Sequence, residues 1–297
     1  MKKITRRIML TSIAFALCLS CTRYNVAQDL KNVAYDDDHA SQCVDVYLAH
    51  SAQPTPAIIY IHGGGWRGGS KNSVPNWLKQ LVRDNKATVV AVEYRFTDVA
   101  PHPAQVNDCL RAVQFVRSNA QEWHIDPDRL CVTGGSAGGH LSAYVALHDD
   151  IAKSQATDPI EHQSSRVQCA VSFAGPTDWS LLSTIDHKHP AYRQLIGTEP
   201  GTPAEKLPAS AIRDVSPITF ASADDPPLMQ VHGDQDDIVP IEHARRLQEK
   251  LTQLGVRTEL VVIPGGNHSV AGAGDQVTDQ ARAFVEVNLL SPTGHKP

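Results

Sequence analysis

The chain has 297 residues, enough for one large α/β domain with an ample core. Its 41% hydrophobic and 20% charged content is that of a globular protein. A formal net charge of −5, with no basic run outside the N-terminus and no internal repeat, argues against a nucleic-acid partner.

The N-terminus reads as an export signal over residues 1–21. Lys2, Lys3, Arg6 and Arg7 precede an apolar stretch, Ile8 through Leu19, that is too short for a comfortable membrane span. Thr5-Arg6-Arg7-Ile8-Met9-Leu10 has features of a twin-arginine signal. Cys21 after Leu19-Ser20 is similar to a bacterial lipoprotein cleavage site, although Cys18 stands where leucine is usual. Lipidation at Cys21 is one expectation; the other is ordinary cleavage nearby and release into the periplasm or medium. Residues 22–297 are then one domain, and residues 22–40 a tether or first edge segment.

Gln42 through Ala49 alternates polar and apolar residues, as an edge strand would. Ala57–Ile61 is a continuous apolar run of the kind buried on both faces of a parallel sheet. Trp77 to Asp84 reads as a helix and Ala87–Val92 as another buried strand. From Pro103 to Asn119, Val106, Leu110, Val113, Phe115 and Val116 fall at helical spacing. Strands follow at Leu130–Thr133, Val167–Phe173, Pro227–His232 and Thr258–Ile263. Between them lie helices from His140 through Leu147, from Ile241 to Leu254 with Pro240 as its start and Gly255 as its stop, and over Gln276–Leu289. This alternation predicts an α/β fold: a mainly parallel sheet with helices on both faces. The span from Pro176 to about Pro226 is rich in proline, serine and threonine and breaks the rhythm, which reads as a small lid or substrate-binding insertion. Of the remaining cysteines, Cys43, Cys109, Cys131 and Cys169, some can pair in an exported protein. Cys131 and Cys169, however, lie in apolar strand runs and read as buried free thiols.

Gly134-Gly135-Ser136-Ala137-Gly138 joins a strand to a helix. A serine between glycines at such a turn has the layout of a nucleophile elbow, where the hydroxyl stands clear of the sheet. Alone the pattern is a common coincidence. His62-Gly63-Gly64-Gly65-Trp66, at the end of an earlier strand, is much rarer and has the form of an oxyanion-hole loop. The N–H groups of Gly64, Gly65 and Ala137 are the candidate oxyanion donors, and His62 and Trp66 the braces of that loop. A serine hydroxyl needs a base, and the base needs an acid to fix its tautomer. Of 14 histidines, His268 is the best base, in a glycine loop directly after the last strand; His243 lies on the preceding helix pattern and lacks that placement. The acid falls in His232-Gly233-Asp234-Gln235-Asp236-Asp237. Asp234 is close enough to the strand end to bond the turn. Asp237 sits near a helix N-terminus, where its charge is favoured. Asp236 is deep enough in the loop to reach His268, and Asp236 and Asp237 stay close competitors.

These motifs resemble the α/β-hydrolase fold. More narrowly the chain is similar to the bacterial esterases and lipases that include hormone-sensitive-lipase-like carboxylesterases and feruloyl or acetyl-xylan esterase-like proteins. Beyond the two loops above, the resemblance rests on Glu93-Tyr94-Arg95, Ala100 through Gln105 with Asp108, Ile125 through Arg129, Gly134–His140 with Leu141, His232–Pro240 and Gly265–His268. It implies a serine carboxylesterase with Ser136 as nucleophile, His268 as base and Asp236 as acid, working without a cofactor or metal. The short stretch between position 21 and the strand near 42 leaves little room for a hormone-sensitive-lipase cap, so the feruloyl-esterase-like type fits better. Short-acyl esters or acetylated and feruloylated sugars are the implied substrates. The implied partners are a small-molecule or polysaccharide-linked ester, and a membrane only through a lipidated Cys21. Three alternatives are carried. His-Gly-Gly-x-Trp also occurs in kynurenine-formamidase-like amidases. The Gly-x-Ser-x-Gly-Gly elbow and His-Gly-x-x-Asp loop occur in prolyl-oligopeptidase-like peptidases. The third is a non-enzymatic binding protein on the same fold.

Overall fold

The computed structural model describes residues 28–184, 189–270 and 274–290. The residues read as an export signal, Cys21 among them, lie outside the described residues. Eight strands form one sheet in the order β1-β2-β4-β3-β5-β6-β7-β8. β1 (Leu30–Ala34) and β2 (Cys43–Tyr47) pair antiparallel, as do β2 and β4 (Thr88–Val92). β3 (Thr55–Ile61) pairs in parallel with β4 and with β5 (Ile125–Gly135). β6 (Cys169–Phe173), β7 (Leu228–Gly233) and β8 (Thr258–Ile263) extend the sheet in parallel. This is the α/β-hydrolase arrangement that the motifs imply.

Strand residues alternate between two cores. Ile58, Tyr60, Val89, Ala91 and Cys131 pack with Leu78 and Leu81 of α1 (Asn76–Arg83) and Val277 and Phe284 of α7 (Asp275–Val285). Ile59, Ile61, Val90, Val92 and Val132 pack on the other face, with α2 (Ala104–Ser118), α3 (Ala137–Leu147) and α6 (Glu242–Gln253). Burial on both faces explains why the central strands read as unbroken apolar runs. Cys43, Cys109, Cys131 and Cys169 are all buried free thiols.

One strand differs from its sequence reading. Gln42–Ala49 is no edge: β2 lies between β1 and β4, and the edge strand is β1. The polar residues that suggested an exposed face are buried and partnered. Asp45 accepts from Asn32 N–H at 2.8 Å and faces Lys71 Nζ at 3.4 Å, while Gln42 Nε2 donates to Asp108 at 2.9 Å. Internal partners therefore imitate the alternation that solvent usually enforces. β5 also runs longer than Leu130–Thr133, since Ile125 pairs with Thr55 across an irregularity at the polar Asp126–Arg129 stretch.

The segment between β6 and β7 holds α4 (Ala191–Leu195), α5 (Ala209–Val215) and short 3-10 turns such as Trp179–Ser183. It packs over the C-terminal end of the sheet, with Trp179 fully buried.

Candidate active site

Ser136 sits between β5 and α3 at φ 55° and ψ −119°. A non-glycine residue in that region is strained, and the surroundings hold it there. Its N–H donates to Phe173 O at 2.8 Å, and its carbonyl accepts from His140 N–H at 2.9 Å. The elbow lies almost against β3: a Cβ on Gly138 would stand 2.0 Å from Ile61 O. Only glycine at position 138 lets α3 begin so close to the sheet.

The loops after β7 and β8 are bound to each other. Gln235 N–H donates to Gly266 O at 2.9 Å, and Gly265 N–H to Asp234 Oδ1 at 2.7 Å. Asp234 thus serves the turn. This pairing brings Asp236 and His268 together. Asp236 Oδ2 accepts from His268 Nδ1 at 2.8 Å, and His268 Nε2 accepts from the Ser136 hydroxyl at 2.8 Å. Asp236 Oδ1 accepts from Ile238 N–H and Val239 N–H at 2.9 and 2.8 Å, so its orientation is fixed. Burial alone would raise its carboxyl, but hydrogen bonds from His232, His268 and Val239 N–H prevail. They hold it well below the usual carboxylate range, so it stays ionised. Asp237 is exposed, and of the two competitors only Asp236 reaches the histidine. His243 is buried, where its Nδ1 accepts from Thr177 N–H and Asp178 N–H, away from Ser136.

The loop after β3 brings Gly64 and Gly65 into the same cavity as Ser136 and His268. Gly64 has φ 122°, and a Cβ there would stand 2.1 Å from Gly68 O. Ala137 is the first residue of α3, so its N–H has no helical acceptor behind it. His62 braces the loop: its ring nitrogens lie 2.8 Å from Gly63 O and 2.8 Å from Glu93 Oε1.

Trp66 does more than brace. Its Nε1–H donates to His140 Nδ1 at 3.1 Å, and His140 Nε2–H donates to Val215 O at 2.8 Å. One buried imidazole thus joins the glycine loop, α3 and the segment between β6 and β7. Trp179 packs on the same ring, with centroids 4.9 Å apart. Nothing in the sequence motifs singled out this role for His140, because its partners are 74 and 75 residues away. Burial pushes His140 from 6.5 down to about 3, against the opposing pull of the Val215 carbonyl. The unfolded chain therefore takes up a proton near pH 6.5 that the folded chain refuses until about 3. Stability should fall as pH drops through that window, with a slope approaching ~1.4 kcal/mol per pH unit for this one group. Urea unfolding at stepped pH reads the slope. His140→Gln should flatten it while lowering stability at neutral pH; an equal slope in the variant would remove His140 as its source.

The cavity above Ser136 measures about 320 Å³. Trp66, Ala191, Tyr192, Ile238 and Val239 give it apolar walls, and Arg67 and His189 also line it. His189, Ala191 and Tyr192 come from the segment between β6 and β7, which the sequence reading marked as an insertion without naming these residues. A second, polar cavity of about 400 Å³ lies on another side, among Asp36, Arg95, Asp108, Arg111 and Lys153, and shares no lining residue with the cavity at Ser136. Carboxylate oxygens of Asp36, Asp37 and Asp38 there come within 4.8 Å of one another, and Asp36 pairs with Arg111 at 3.5 Å. Among the described residues no helix is long and apolar enough to cross a membrane.

A family model described as BD-FAE matches residues 44–251. The chain is 33% identical over 201 residues to the "probable carboxylic ester hydrolase LipM" of Mycobacterium tuberculosis, covering 67% of this chain and 45% of LipM. It spans about half the length of the curated relatives it matches. A solved structure described as a truncated form of carbohydrate esterase from gut microbiota superposes with TM-score 0.77 at 26% identity, covering 88% of this chain and 95% of that one. An acetyl ester-xyloside bifunctional hydrolase from Caldicellulosiruptor lactoaceticus gives TM-score 0.70 at 26% identity, covering 82% and 87%.

Proposed function

The chain belongs to the BD-FAE family, and from that premise we propose that it is a serine carboxylesterase acting on short-acyl esters, among them acyl groups carried on sugars. The observation that carries the reading is the unbroken hydrogen-bonded series from Ser136 through His268 to a buried, ionised Asp236, at the wall of an accessible cavity. In the proposed reaction His268 Nε2 takes the Ser136 proton as Oγ attacks the ester carbonyl carbon. The carbonyl oxygen becomes an anion, held by the N–H groups of Gly64, Gly65 and Ala137. Asp236 stabilises the imidazolium. As the C–O bond breaks, His268 returns the proton to the departing alkoxide and an acyl-enzyme remains. Water, deprotonated by the same imidazole, then frees the acid and restores Ser136.

Acyl size follows from volume. At about 320 Å³ the cavity is at the small end of ligand sites, which run ~300–1,000 Å³. Trp66 and Tyr192 are buried and packed against each other at 6.2 Å between centroids, so that wall does not yield to a long chain. The structural neighbours, a carbohydrate esterase and an acetyl ester-xyloside bifunctional hydrolase, support a sugar-borne acetyl group. A p-nitrophenyl ester series tests this: kcat/KM should be highest for acetate to butyrate and fall for octanoate and longer. Faster turnover of palmitate than of acetate would reject it. The proposal includes export, on the strength of the Lys2–Arg7 and Ile8–Leu19 pattern, with Cys21 as the anchor if the chain is lipidated.

A further inference from the structure

Around Ser136 and His268 the cavity is walled by apolar side chains, and among the described residues the charge at its mouth has one sign. Arg67 lines it, and among the described residues no aspartate or glutamate side chain does. Arg67 follows Trp66, whose ring is buried and bonded to His140, so the backbone that carries the guanidinium is anchored. Arg67 N–H also closes the loop on Gly64 O at 3.3 Å. The side chain is exposed, and its Nη1 donates to Gln194 Oε1 of α4 at 3.2 Å. Among the described residues it has no carboxylate partner, unlike Arg95, Arg129, Arg246 and Arg282, each of which lies within 3 Å of one.

His189 stands beside it. A Cβ on Gly65 would come within 3.7 Å of its Cε1, and its Nδ1 accepts from Ala191 N–H at 3.3 Å. In the neutral ring the remaining nitrogen, Nε2, therefore carries a proton. Burial, with Arg67 and His268 adding to it, lowers His189 and favours that neutral ring. The mouth thus offers the free donors of a guanidinium fork and one imidazole N–H, and among the described residues it has no acidic group that would satisfy them internally. Gln194 holds the fork through a neutral contact that neither cancels its charge nor fills its second edge.

We propose that Arg67 is a specificity residue that receives a carboxylate on the substrate, so that the preferred esters carry an acid group a few bonds from the scissile bond. The acid can be borne on the acyl side, as in a half-ester of a dicarboxylic acid, or on the alcohol side, as in an acylated acidic sugar. Both present the same planar anion to the same fork. The inference rests on the ester-hydrolase reading of Ser136 and adds the charge of what is hydrolysed.

Two isosteric pairs test it. On the acyl side, monomethyl succinate is compared with methyl succinamate; on the alcohol side, acetoxyacetate with 2-acetoxyacetamide. Each pair differs only by carboxylate against carboxamide. The readout is the ratio of kcat/KM within a pair, which cancels any general effect of a substitution on the site. The wild-type protein should favour the carboxylate in at least one pair, and high salt should weaken that preference. In Arg67→Gln the ratio should drop by about tenfold or more, as for loss of a hydrogen bond to a charged group, and in Arg67→Glu it should drop further. Arg67→Lys should fall between wild type and Gln. The pair that responds identifies the side bearing the acid. A ratio unchanged in Arg67→Gln, or a wild-type preference for the amide in both pairs, overturns the anion subsite. If p-nitrophenyl acetate is hydrolysed in those cases, the esterase reading survives without it. Failure to turn over any of these esters overturns both.

Discussion

Ser136→Ala should lower kcat for p-nitrophenyl acetate by ~10⁴- to 10⁶-fold, because the covalent route then has no nucleophile. Binding should persist, since Trp66, Tyr192, Ile238 and Val239 still line the cavity and the substitution only removes the hydroxyl. Residual turnover of ~10³–10⁴ over water is expected from the N–H groups of Gly64, Gly65 and Ala137 alone. His268→Ala should cost nearly as much, and the double variant scarcely more than either single one, since the hydrogen-bonded pair acts as a unit. Steady-state kinetics on the three variants decide the matter. Losses that multiply in the double variant would mean that Ser136 and His268 work independently.

Asp236→Asn should cost about 10⁴-fold while leaving the fold intact. The magnitude follows from the bonding. Oδ1 is committed to Ile238 N–H and Val239 N–H, so the carbonyl of an asparagine must take that place. Its NH₂ group then faces His268 Nδ1, which now has to accept. The ring proton moves to Nε2, the nitrogen that must receive the Ser136 proton, and the base is disabled by its tautomer. Asp237→Asn is the matched control. Its side chain is exposed and outside the hydrogen-bonded series, so kcat/KM should change by less than about twofold. A large loss at Asp237 with little at Asp236 would reverse the assignment.

That pair of variants also marks where sequence stops being informative. The elbow and the glycine loop are recognisable because their chemistry is local: tight turns demand glycine next to the residue they expose. Asp236 and Asp237 are neighbours with the same side chain. What separates them is the bonding between the loops after β7 and β8, 31 residues apart, and no spacing rule encodes that. Asp45 and Gln42 were misleading for a related reason. Their partners Lys71 and Asp108 are distant in the chain, so burial looked like exposure. The segment between β6 and β7 was visible only as a break in rhythm. Its contributions to the cavity, His189, Ala191 and Tyr192, carry no pattern of their own, and Tyr192 is recognisable only from its packing on Trp66.

The imidazole of His140 has a practical consequence for anyone wishing to alter what this scaffold accepts. Because it clasps Trp66 on one side and the Val215 backbone on the other, the stretch from Trp179 to Val215 is wired into the glycine loop after β3 at its far end. Exchanging that whole stretch for one from a relative would disturb the loop along with the specificity. Diversification confined to His189, Ala191 and Ile238, with Trp179 and Val215 left in place, reshapes the rim and spares the clasp.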